Sequence, residues 1–300
     1  MQVTTYAAAR AALTDPDLTV PSAPSATTGM AWLRATVARF SSGPTHTRRR
    51  ALAVTQLSTI DIRALCDAAK TRTTTLLAAH GDNPVDLMAR VARTLPTELL
   101  AAALGIPAAT PTIVAAIARA YPTGEPDPAA DAAVQNLIPE TPDEAVAARI
   151  GLLAQTFAAT AGLIGNAAFI MLRDQLQAPA EAIIAETLRH TPPVRATKRT
   201  TPTGDTIEIN LAAANRDPRV FPEPDRFDPT RANRDAHLEF GFGPHNCPGR
   251  DVATAITAGV LDAVRGHRLL TQTLTYEPPA NLRVPTHLHL ATPNPRIPQI

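Results

Sequence analysis

Phe240-Gly241-Phe242-Gly243-Pro244-His245-Asn246-Cys247-Pro248-Gly249 is the stretch on which the reading of this 300-residue chain turns. Cys247 is one of only two cysteines, the other being Cys66. Glycines and prolines frame it, and a proline-free apolar run from Arg250 to about Val264 follows. That run predicts a helix, which puts Cys247 at or just before a helix N-terminus. Unpaired N–H groups and the helix dipole favour a thiolate there. Pro248 suits a first helical position. Gly243 permits the preceding turn, and Gly249 lets a flat ligand approach the backbone. The stretch is suited to presenting a sulfur anion to a broad partner. An inert cysteine buried in a glycine-rich loop is the competing reading of the same residues.

The bulk composition narrows the classes. Lys and Arg number 28 against 27 Asp and Glu, a formal charge of +1, which lacks the basic excess of a nucleic-acid binder. Two cysteines cannot build a disulfide scaffold or a four-cysteine zinc site. A reducing cytoplasm is the simplest setting for them. Met1 to Arg10 holds no apolar signal segment. Ile150 to Leu172 is uncharged and long enough to span a bilayer. Gln155, Asn166 and several Thr and Ala residues weaken it, and no Trp or Tyr marks its ends. A long core helix is expected there, with no membrane partner.

Proline, at 29 residues, is about twice its usual share and punctuates the chain. Proline-free stretches predict helices over 7–13, 30–40, 47–51, 61–79, 85–95, 97–104, 112–120, 143–177, 180–190 and 250–265. The stretch 143–177 would run roughly 50 Å. Residues 206–211, 269–276 and 288–291 alternate like strands. Pro122–Ala130 reads as the most loop-like segment. With no repeat and no linker, the expectation is a single domain over 1–300, mainly α with small β-sheets.

The spacing Phe-x-x-Gly-x-x-x-Cys-x-Gly resembles the heme-binding loop of the cytochrome P-450 heme-thiolate enzymes. Other segments extend the resemblance in the same order. His46-Thr47-Arg48-Arg49-Arg50 resembles the His-x-x-x-Arg helix that grips a heme propionate. Leu95-Pro96-Thr97-Glu98-Leu99-Leu100 also fits. Glu186-Thr187-Leu188-Arg189 looks like the Glu-x-x-Arg helix. Pro224-Asp225-Arg226-Phe227 resembles the segment whose arginine completes a Glu-Arg-Arg cluster. Asn215-Arg216-Asp217-Pro218 and Phe221-Pro222-Glu223-Pro224 closely match bacterial members. The resemblance implies heme b as cofactor and Cys247 as axial iron ligand, with Phe240, Gly243 and Gly249 shaping the loop. It implies His46, Arg50, Arg199 and His245 as propionate partners, with Arg195 competing for the place of Arg199. Glu186, Arg189 and Arg226 would form the structural cluster.

The chain also departs from the family. It is short, and the resemblance implies truncation at the N-terminal sheet and in the lid region. The hairpin after Arg199 is clipped. The two lid helices between Pro107 and Pro142 shrink to 112–120 and 131–138, which implies a more open pocket. The long helix lacks the family's acid–alcohol pair, whose positions fall on Ala158 and Ala159. A register shift by one puts the alcohol at Thr160 and the acid at Ala159. No carboxylate lies between Glu144 and Asp174, so Thr156 and Thr160 are the hydroxyls available for catalysis. Plain helix packing is their other reading.

The function implied is heme-thiolate oxidation of a small organic substrate, of monooxygenase type, in secondary metabolism. Nothing resembles a flavin or nicotinamide fingerprint, so electrons would come from a separate ferredoxin-type donor. The alternatives are peroxide-driven or redox-neutral chemistry (dehydration, rearrangement or cyclisation) and a non-catalytic heme-binding recruitment module.

Overall fold

In this computed structural model, which describes residues 1–278 and 281–292, the chain begins with a short strand, β1 (Gln2–Val3), and helix α1 (Tyr6–Thr14). Helices α2 (Gly29–Thr36) and α3 (Gly43–Ser58) flank a 3-10 turn at Ala38–Phe40. After α4 (Ile62–Ala78) come strand β2 (Val85–Asp86) and α5 (Leu95–Ala103). Two short helices follow, α6 (Pro111–Ala120) and α7 (Pro128–Gln135). Each opens on a proline behind a side-chain cap, Thr110 and Asp127 respectively. Asp143 caps the long α8 (Glu144–Arg173), and α9 (Ala180–His190) follows. Strands β3 (Ala196–Thr200) and β4 (Thr206–Asn210) lead to the single turn α10 (Leu211–Ala214). Helix α11 (Arg250–Val264) precedes β5 (Arg268–Leu269) and β6 (His289–Ala291).

The expected class, mainly helical with small sheets, is the one observed. β4 lies between β1, which it pairs in parallel, and β3, which it pairs antiparallel. The second sheet runs β2-β6-β5, antiparallel throughout. Several boundaries differ from the sequence expectation. Residues 85–95 are no single helix: Val85 and Asp86 pair with Leu290 and His289, and a π-helical turn spans Met88–Ala92. The long-range pairing overrides the local helical pattern. Pro122–Ala130 is not all loop, since Asp127 accepts from Ala129 and Ala130 N–H and starts α7. The strand expected at 269–276 ends at Leu269.

Two cores hold the helices. The larger joins α4, α5, α9 and α11 to the second half of α8, with Met88, Leu153, Ile164, Ile183 and Ile256 fully or almost fully buried. The smaller packs α2, α6 and α7 on the first half of α8, through Leu33, Ile117, Val134 and Ile150. The two lid helices are therefore present, short, and seated on α8. Among the described residues α8 is the one helix apolar and long enough to cross a membrane, yet 67% of its most apolar window is buried inside the protein.

Glu144, at the start of α8, holds α3 in place. Arg48 and Arg49 each approach its carboxylate to 2.8 Å. These contacts, the Arg48 hydrogen bond foremost, pull the Glu144 pKa from its ordinary range down to about 2. The contribution is therefore present above the unfolded carboxyl's pKa of about 4.3 and is lost as pH falls toward 2. Glu144→Gln is expected to lower Tm by roughly 1–3 °C at pH 7, because the pair is partly exposed. The difference should shrink in melts below pH 4 and close near pH 2. A constant difference across that range would assign the loss to packing instead.

Candidate functional site

The Cys247 loop is held in three ways. Gly243 has a φ of +72°, and a Cβ there would meet Thr14 Cγ2 at 2.9 Å and Leu13 O at 3.2 Å. Only glycine permits both the turn and the approach of α1. The Cys247 N–H donates to Phe240 O at 2.7 Å, closing the loop on itself. Gly249 caps α11, so Pro248 lies one residue before the cap and not at the first helical position expected for it. Gly249 itself has an ordinary φ of −91°, and a Cβ there would touch no protein atom within 4 Å. Neither strain nor a protein neighbour accounts for the glycine.

Cys247 keeps accessible surface although protein surrounds it closely. Burial pushes its thiol up, against an N–H donated by Gly249 and the charges of Arg50 and Arg39. The expected thiolate bias from the helix end is thus reversed in the protein alone. A further anion contributes to the rise: Glu239, two residues beyond His237 and unremarked in the sequence. Glu239 is buried, and its Oε1 accepts from Val194 N–H at 2.8 Å. Its Oε2 has no partner among the described residues. Burial raises this carboxyl well above the usual range, against the one N–H that Val194 donates to it.

Cations gather beside the sulfur. The His46 and His245 rings lie 3.8 Å apart, tilted by 34°. Burial lowers both, with Arg50 and Arg199 adding to the effect, and His245 falls to about 4. Arg50 donates to Asn246 O at 2.6 Å and also to the Asn246 side chain. Arg199 is only 3% exposed, yet among the described residues its one side-chain hydrogen bond is to Lys198 O at 2.9 Å. Its charge bears on both histidines. Arg39, missed in the sequence, adds a further charge near His245 and Arg199. Among the described residues no carboxylate counts among the groups that shift His46, His245, Arg50 or Arg199. Arg50 and Arg199, with two imidazoles beside them, leave positive charge that an anionic group would balance.

The structural cluster departs from expectation in one member. Glu186 and Arg189 are fully buried and bidentate, at 2.9 and 2.7 Å. Arg189 also donates to the carbonyls of Asn215, Pro224 and Arg226. Arg226 is not the third guanidinium. Its side chain is 63% exposed and faces Glu223 at 3.4 Å. Arg231 takes the place, with Nε 3.6 Å from Glu186 Oε1 and a side chain 9% exposed. The segment 224–231 bends so that Arg226 offers its carbonyl inward. Asn215, fully buried, extends the cluster to the thiol loop by accepting from Leu238 N–H at 2.7 Å.

Midway along α8, Gln155 to Ala159 are less buried than the turns on either side. Thr156 is half-buried and Thr160 is 2% exposed. Thr187 and Thr257, like other helical threonines here, donate to the carbonyl four residues back. Among the described residues neither Thr156 nor Thr160 has such a bond, so both hydroxyls are uncommitted. No Asp or Glu lies between Glu144 and Asp174 on this helix.

A sequence profile described as Cytochrome P450 matches residues 164–264, which include α9, the Glu186–Arg189 pair and the Cys247 loop. The chain is 35% identical over 130 residues to 6-deoxyerythronolide B hydroxylase of Saccharopolyspora erythraea, 37% of this chain and 32% of that protein. It is 48% identical over 61 residues to a 20-oxo-5-O-mycaminosyltylactone 23-monooxygenase of Streptomyces fradiae, 20% of this chain and 14% of that one. These matches thus span about a third or less of the relatives' length. The fold extends further. Mycobacterium smegmatis CYP164A2 superposes with a TM-score of 0.78 at 25% identity, over 97% of this chain and 90% of that one. Residues 164–264 thus match the cytochrome P450 family, and nearly the whole chain shares the fold of its solved members. That family binds heme b. The residues present fit such a group: a thiol, a glycine open on one side, and an uncompensated cation cluster suited to two propionates.

Proposed function

We propose that the chain is a heme-thiolate oxidoreductase acting on a small organic substrate by monooxygenase-type oxidation. One observation supports it most: beside Cys247, Arg50 and Arg199 flank His46 and His245, and among the described residues neither guanidinium has a carboxylate partner. Cys247 would ligate the iron as thiolate, with Gly249 N–H donating to the sulfur. His46, Arg50, Arg199 and His245 would hold the propionates. When bound, the heme supplies an electron-rich iron for oxygen chemistry. Electrons would come from a separate ferredoxin-type donor. We place the protein in the cytoplasm, consistent with its free cysteines.

The protein's own contribution to proton movement is unusual. With Ala158 and Ala159 where the family carries its acid and alcohol, only the free hydroxyls of Thr156 and Thr160, water or the substrate can carry protons there. This favours a second reading, peroxide-driven or redox-neutral chemistry, with a non-catalytic heme module as the third. A missing general acid commonly lowers rate by about 10²–10⁴. Poor coupling of electrons to product is expected with a generic ferredoxin system, and Ala158→Glu with Ala159→Thr should improve it. Tight coupling in the unaltered protein would show a separate proton route. Absence of any iron-dependent product from a panel of substrates would favour the third reading.

Pro248 lacks an N–H, which leaves Gly249 as donor to the sulfur. Fewer donors keep the thiolate electron-rich. Pro248→Leu is expected to raise the heme reduction potential. Spectroelectrochemistry on both proteins decides it, and an unchanged or lowered potential refutes the proposed donor effect.

A further inference from the structure

We propose that Asp86, His287 and His289 form a surface site for a divalent late transition metal such as zinc. The pattern of strand pairing creates it. Asp86 in β2 lies directly opposite His289 in β6. His287, two residues before it and just outside the strand, lies beside His289. The two imidazole rings stack at 5.7 Å and 24°. One ligand atom from each of the three residues falls within 4.8 Å of the others.

The carboxylate is held ready. Asp86 Oδ1 accepts from the N–H groups of Met88 and Leu288, each at 3.0 Å. Oδ2 is left to face His287 Nδ1 at 2.7 Å. The two N–H bonds to Oδ1 fix the carboxylate and leave Oδ2 directed at the two imidazoles. Two ligands of a tetrahedral zinc lie about 3.3 Å apart, given bonds of about 2.0–2.1 Å. Releasing the Asp86–His287 hydrogen bond, opening that gap by about 0.6 Å and drawing the remaining ligand in from within 4.8 Å would admit the ion.

Two features argue for a site rather than a simple ion pair. The backbone of His289 is itself anchored, its N–H donating to Thr271 Oγ1 at 2.8 Å. The His287 side chain is 64% exposed and that of Asp86 15%, so an ion could enter from solvent and keep waters. Two imidazoles and one carboxylate select zinc, copper or nickel over magnesium or calcium. Bound metal would clamp the β6 strand to β2. Nothing in the heme-thiolate reading uses these residues.

The test uses the full-length protein without a polyhistidine tag, stripped with a chelator and titrated with zinc chloride by calorimetry. One zinc per chain is expected, with a rise in Tm on binding, and no response to magnesium. His289→Ala and Asp86→Asn should each weaken that event by at least about tenfold and abolish the rise in Tm. His287→Ala, at an exposed position, provides the same test should either of those fold poorly. Equal zinc binding by wild type and the His287→Ala variant, or no zinc binding by wild type, overturns the proposal.

Discussion

Cys247→Ala is expected to abolish the red-shifted Soret band of the reduced, carbon monoxide-treated protein while leaving part of the heme bound. The two effects separate because two kinds of contact would hold the group. The sulfur would supply the axial bond. The cations of α3, β3 and the loop would supply charge, and they stay in place when one small side chain is removed. His46 and Arg199 lie outside the loop that carries Cys247. Retention of the band in the alanine variant would show that another atom ligates the iron. Loss of all heme would show that the cation cluster contributes little by itself.

Glu186→Ala is expected to yield almost no soluble heme-loaded protein. Its carboxylate faces Arg189 at 2.7 Å and Arg231 at 3.6 Å, and accepts from Asp228 N–H at 2.9 Å. Removing it strands a fully buried guanidinium. Breaking one partner of such a pair costs about 3–5 kcal/mol, against a total stability of about 5–15 kcal/mol. The companion variants sharpen the result. Arg226→Ala should be nearly neutral, since its guanidinium is in solvent and only its carbonyl is used. Arg231→Ala should be damaging, because its side chain also donates to Pro222 O at 2.6 Å. Expression yield and heme content measure all three. The reverse ranking of Arg226 and Arg231 would restore the arrangement expected from the sequence.

Those two arginines show where sequence reading stops. The Glu-x-x-Arg pair was legible because helical spacing alone puts Glu186 and Arg189 on one face. The third partner sits in a segment without regular structure, where spacing gives no direction. The motif pointed to Arg226, and the bend of the chain selected Arg231. The Cys247 loop was legible for the opposite reason, as its glycines and prolines mark a turn with few conformations. Glu239 and Arg39 were not, because their roles come from burial and from neighbours distant in the chain. The start of α7 could have been read, since an aspartate before a proline is a helix-start signal. The strand at Val85–Asp86 could not, because its partner is about 200 residues away in sequence.

The site is assembled from parts that differ widely in contact order. Arg189 reaches the carbonyl of a residue 26 positions away, and Glu186 meets Asp228 at 42. Arg50 meets Asn246 across 196 positions. Closing the longer loop costs more entropy and comes later in folding. The Glu186–Arg189 cluster can therefore take shape before α1 and α3 close on the Cys247 loop, which leaves the surroundings of the sulfur among the last parts to be completed.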